Sequence, residues 1–117
     1  MTWTYRQSDG ELTHDGEFMG TGYSGMGYGR NNPACEAVPM LGPIPKGRYR
    51  IEPARWSKTM GPITMNLDPV GHDACKRSHL RVHGDNKTHD ASHGCVILGP
   101  SIRRMMADSA DRELIVI

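Results

Sequence analysis

The chain has 117 residues, 14 basic and 13 acidic side chains, and a formal charge of +1. That length suits one domain over residues 1–117, with enough chain to bury a core without metal or disulfide staples. The near-balanced, scattered charge gives no footprint for nucleic acid or an anionic membrane, and no apolar stretch approaches a membrane span of about 18 residues.

Fourteen glycines and eight prolines predict many turns and short strands. Trp3–Gln7 reads as a strand that stops at Ser8-Asp9-Gly10. Glu11–His14 and Glu17–Met19 follow, separated by Asp15-Gly16. Two Asp-Gly turns between β-prone runs predict a hairpin meander. Gly20–Gly29 holds five glycines, but no Gly-Lys-Ser/Thr follows, so it reads as an irregular loop and not a phosphate cradle. Arg48–Ile51, after two prolines and Gly47, alternates polar with apolar residues as a half-buried strand does. Ile63–Leu67 and Ser78–Val82 predict further strands. Pro100-Ser101 offers an N-cap for one short helix over Ile102–Ala107, and Glu113–Ile117 suits a central strand. Met1–Tyr5 lacks the basic and apolar regions of a conventional signal peptide.

The chemistry concentrates in Arg81–Ile97, which holds His83, His89, His93 and Cys95. A cysteine becomes a nucleophile when a neighbour takes its proton, and His83 stands twelve positions upstream, a spacing that lets a loop bring imidazole to sulfur. Backbone N–H groups of Gly94 and Cys95 would form an oxyanion hole. A carbonyl near Gly84 or the Ser92 hydroxyl would fix the imidazole tautomer. A zinc site built from His83, His89, His93 and Cys95 is a rival reading. Neither Cys-x-x-Cys nor His-Glu-x-x-His is present, however, and no cofactor is expected. A papain-like amidase fits less well, because there the cysteine precedes the histidine.

His83-Gly84 with Ser92-His93-Gly94-Cys95 resembles the signature of the L,D-transpeptidase (YkuD-type) family, and Gly42–Tyr49 is similar to the Gly-x-x-Pro-x-Gly-x-Tyr strand of its catalytic domain. Trp3-Thr4-Tyr5, Gly10-Glu11-Leu12, Asp15-Gly16, Gly22-Tyr23-Ser24-Gly25 and Asn31-Asn32-Pro33 resemble the type VI secretion L,D-transpeptidase-like effector domain, so that the likeness runs from Trp3 to about Leu98. The chain departs after the cysteine, where transpeptidases carry Arg or Asn within two residues and this one has Val96-Ile97-Leu98.

The resemblance implies a mainly β fold, an L,D-transpeptidase-like sandwich or barrel with a short helix after the cysteine. It implies cleavage of peptidoglycan tetrapeptide stems through a thioacyl intermediate, resolved by water, a D-amino acid or a stem amine. Cys95 is then the nucleophile and His83 the base, with Ser92, His93 and Gly94 in supporting roles. Tyr23, Ser24, Asp85, Asn86 and Arg103 are substrate-binding candidates. His89 reads as a solvated loop residue, and His14, His72 and His79 carry no motif. The subgroup likeness further implies a secretion apparatus, a cognate immunity protein and delivery into the periplasm of a target bacterium, with a non-catalytic wall-binding module as the alternative. Cys35 and Cys75 are either a disulfide pair, if the protein works in an oxidising periplasm, or two ordinary thiols.

Overall fold

The computed structural model describes residues 2–117. Ten strands and one α-helix make up the fold: β1 (Trp3–Tyr5), β2 (Glu11–His14), β3 (Glu17–Thr21), β4 (Tyr23–Ser24), β5 (Gly47–Ile51), β6 (Arg55–Ser57), β7 (Gly61–Val70), β8 (Arg81–His83), β9 (Val96–Ile97), α1 (Pro100–Asp108) and β10 (Glu113–Val116). The strands run in the order β3-β2-β1-β10-β5-β7-β8-β9-β4, with β6 on β7. β1/β10 and β8/β9 are parallel pairs; the others are antiparallel. No helix among the described residues is long and apolar enough to cross a membrane.

The meander forms as predicted. Asp15 and Gly16 both have positive φ (51° and 84°), the backbone of the tight hairpin turn that joins β2 to β3. Alternation sends Trp3, Tyr5, Leu12, Tyr49, Ile51, Leu114 and Val116 inward, where they meet Met65, Val82, Val96 and Met106. β10 is central, between β1 and β5, as its apolar run implies. The helix begins two residues earlier than expected: Gly99 is the N-cap and Pro100 lies within the helix, so Ser101 caps nothing. β4, β6 and β9 were not legible as strands, being two or three residues long.

Cys35 is buried, Cys75 is exposed and both are free, so the structure favours the two-thiol reading.

Candidate active site

The parallel β8/β9 pair builds the site. Val82 stands opposite Val96 and His83 opposite Ile97, and both valines face the core. Alternation then turns Arg81, His83, Cys95 and Ile97 to the other face. Arg81, His83 and Cys95 line a cavity of about 350 Å³ with Pro39, Met40, Met60, Arg77, His79 and His93. The register also sets an offset. Cys95 precedes Val96 as Arg81 precedes Val82, so Cys95 neighbours Arg81 and lies two residues, about 7 Å of strand, behind His83.

His83 is buried, and its Nδ1 lies 2.8 Å from the Gly84 carbonyl. A carbonyl only accepts, so Nδ1 carries the proton and Nε2 is the free lone pair. Burial holds His83 below the ordinary imidazole range, with Arg103 and Arg81 adding to the effect against the Gly84 carbonyl and Asp85. Cys95 donates its thiol to the His79 carbonyl at 3.5 Å. Burial pushes that thiol up, and the Arg81 backbone N–H with the charges of Arg81 and Arg77 brings it only part of the way back. The resting pair is therefore thiol and neutral imidazole, without a direct hydrogen bond among the described residues.

Ser92 has a different task from the one expected. Its hydroxyl is fully buried, donates to the Cys95 carbonyl at 2.6 Å and accepts from the Gly25 and Gly94 N–H groups at 2.9 and 3.1 Å. It closes the turn that presents the cysteine and does not orient the imidazole. The same bond occupies the Gly94 N–H, which removes it as a ready oxyanion donor. His93 is exposed at the cavity rim, its ring 3.4 Å from the Met40 carbonyl.

Sequence reasoning missed Arg77. Its guanidinium donates to the carbonyls of Glu36, Gly42, Pro43 and His93 at 2.7–3.1 Å, tying the 36–43 segment to the cysteine turn. Gly94, at φ +128°, makes room for it: a Cβ there would lie 2.1 Å from Arg77 Nη2. No sequence signal marks Arg77, because all four partners are main-chain atoms distant in the chain. His79, also passed over, supplies the thiol's acceptor.

The substrate-binding candidates divide. Ser24 is fully buried, donating to the Gly94 carbonyl and accepting from the Ile44 N–H, so it braces the turn and cannot line a groove. Tyr23 donates to Asp85 Oδ1 at 2.6 Å and accepts from the Ala91 N–H at 3.0 Å; burial and the Asp85 bond push its phenol up to about 12. Desolvation raises Asp85, but bonds from Tyr23, His89 and the Asn86 N–H outweigh it and leave the carboxyl below its usual range. Asn86 bonds Asp90 through both amide atoms and shapes the 86–90 loop. His89, exposed, sits 2.8 Å from Asp85. Arg103 projects from α1 into the protein. It is buried, donating Nε to the Leu98 carbonyl and Nη1 to Pro62 and Ile63.

The zinc reading does not survive the geometry. Among the described residues, the three ligand-type side chains that converge are His14, Asp15 and Asp111, not the histidines around Cys95. His14 there stacks on Trp3 and bonds Asp111 at 2.9 Å.

The fold is that of the L,D-transpeptidases. The chain superposes over 99% of its length on a mutant Enterococcus faecium L,D-transpeptidase (TM-score 0.60, 15% identity, 49% of that chain). It does the same on L,D-transpeptidases from Stackebrandtia nassauensis (0.55, 17%, 54% of that chain) and Mycobacterium smegmatis (0.52, 15%, 58% of that chain). It thus spans about half the length of these proteins. Residues 19–114 match the Tlde1 domain, and the chain belongs to that family. Among curated proteins, none matches significantly.

Proposed function

We propose that this domain is a cysteine enzyme that cleaves peptidoglycan tetrapeptide stems through a thioacyl intermediate. The observation that carries the reading is the shared cavity of Cys95 and His83, with the imidazole anchored through Nδ1 so that Nε2 is available as a base. In the reaction, rotation of the thiol away from the His79 carbonyl brings it to His83 Nε2. The proton moves to the imidazole as sulfur attacks the carbonyl of the third residue. The imidazolium then protonates the departing D-alanine amine, leaving a thioester on Cys95 and a neutral His83. Water, a D-amino acid or a second stem amine resolves the thioester, with His83 taking the incoming proton and returning it to sulfur. Family membership supports delivery by a type VI apparatus into a target periplasm, with an immunity protein guarding the producer.

The test is incubation of wild type, Cys95→Ala and His83→Ala with disaccharide-tetrapeptides, with and without D-methionine, followed by mass spectrometry. Loss or exchange of D-alanine by wild type alone is the expected result. Intact tetrapeptide under every condition, with a thiol that still alkylates, overturns the reading. Retained wall binding by such a protein would then mark a non-catalytic module.

A further inference from the structure

A second, larger cavity of about 650 Å³ lies beside the one that holds Cys95, and Met60 lines both, so the two adjoin. Its wall includes Tyr23, Arg30, Gly84, Asp85, Gly99 and Arg103. Three features there favour negative charge. The N-terminus of the nine-residue α1 opens on it through Gly99 and Pro100, with no side-chain cap and no acidic residue in the first turn. The first N–H groups of a helix lack internal acceptors and carry partial positive charge. Arg103, 7% exposed, commits Nε and Nη1 to carbonyls, while its Nη2 takes no acceptor among the described residues. That nitrogen lies against Gly84, where a Cβ would stand 2.8 Å from it. Arg30 brings a second guanidinium, stacked 3.7 Å from the Tyr23 ring centroid and bonded to the His89 carbonyl. The opposing charge is Asp85, whose two oxygens are already engaged by Tyr23, Asn86 and His89.

We propose that this end of the groove is an anion subsite, formed by Arg103 Nη2, Arg30 and the first turn of α1, that holds a carboxylate of the peptide whose scissile carbonyl rests at Cys95. The identity of that peptide rests on the function proposed above. The subsite also answers the chain's lack of a polar residue after Cys95: the positive charge reaches the groove from β9's far end. An uncapped helix terminus is a ready oxyanion seat, and a guanidinium with one open nitrogen adds a directional donor.

The test reads binding, not turnover. In the full-length Cys95→Ala chain, amide resonances of Ser101 and Ile102 are followed by NMR during titration with N-acetyl-D-glutamate. A second titration uses the tetrapeptide stem, with its carboxylates free or amidated one at a time. Saturable shifts at these amides are expected. They should weaken about tenfold in Arg30→Gln and be lost in Ser101→Glu, which places a competing carboxylate at the helix start while favouring the helix itself. Amidation of one particular stem carboxylate should remove the shift. Absence of saturable shifts with either probe in folded protein overturns the subsite, even if wild type cleaves tetrapeptides. Shifts with N-acetyl-D-glutamate and none with the stem would keep an anion site but overturn its role in holding the peptide.

Discussion

His83 Nδ1 and the Gly84 carbonyl, 2.8 Å apart, form a bond between adjacent residues that fixes the tautomer of the imidazole without a second side chain. A base oriented by main chain cannot be mis-set by a single side-chain substitution elsewhere. His83→Ala should therefore lower turnover of tetrapeptide by about 10²–10⁴-fold, the usual contribution of a positioned base. Thermal melting, compared across the same variants, separates this from a loss of folding.

The pH profile follows from the two shifts. His83, held below the ordinary imidazole value of about 6.5, stays neutral down to a lower pH than a free imidazole. Cys95, pushed up by burial, stays a thiol to a higher pH than a free cysteine. Since the base must be neutral and the thiol protonated at rest, kcat/KM should form a broad plateau between an acid limb below the usual imidazole value and an alkaline limb above the usual thiol value. A narrow bell centred near neutrality would contradict the neutral resting pair.

Alkylation reads the thiol directly. In a Cys35→Ala, Cys75→Ala background, the iodoacetamide rate at Cys95 should climb with a midpoint above that of a free thiol, with no reactive plateau at low pH. In the wild-type chain, three adducts should form under denaturing conditions without reductant, since all three cysteines are free.

Arg77 and Gly94 fit one another, and the fit predicts two losses. Gly94→Ala places a side chain at φ +128° and 2.1 Å from Arg77 Nη2, which should cost about 1–3 kcal/mol. Arg77→Met leaves four carbonyls without their donor and should cost at least about 2 kcal/mol. Because the two side chains meet, the double variant should lose less than the summed single effects, measured by urea denaturation.

Tyr23→Phe removes the donor to Asp85 Oδ1 and the acceptor for the Ala91 N–H, and should cost about 1–2 kcal/mol. Asp85 has a folded-state pKa below its unfolded one, so its contribution is complete above the unfolded value and fades as pH falls through the folded one. The stability gap between wild type and Tyr23→Phe should accordingly narrow as pH drops below about 4.

How much was legible depended on where each residue's partners lie. The β1–β2–β3 meander announces itself because alternation and the Asp15-Gly16 turn are both local. β9 is two residues long, and its pairing with β8 and β4 is set by tertiary contact. β7 was legible only over Ile63–Leu67; its full run, Gly61–Val70, is hidden because Pro62 and Pro69 interrupt the pattern on either side and Ile63 adopts φ 56°. Cys95 and His83 could be read from residue type and spacing, and the structure places both at one cavity. Ser24, Ser92 and Arg103 were legible as part of the region but not in their tasks: each is polar yet buried, with main-chain partners that no side-chain pattern records.

The placement of β10 has a consequence for how the chain acquires its shape. β1 and β5 do not pair with each other; the strand between them is 113–116, at the far end of the sequence. Until those four residues arrive, the open edges of β1 and β5 have nothing to join, and the two halves of the sheet remain unconnected along that seam. Pairing at such separation carries a large loop-closure cost and makes folding slow. The order of synthesis therefore leaves closure to the last strand, and a chain stopped short of Glu113 would present two unsatisfied edges.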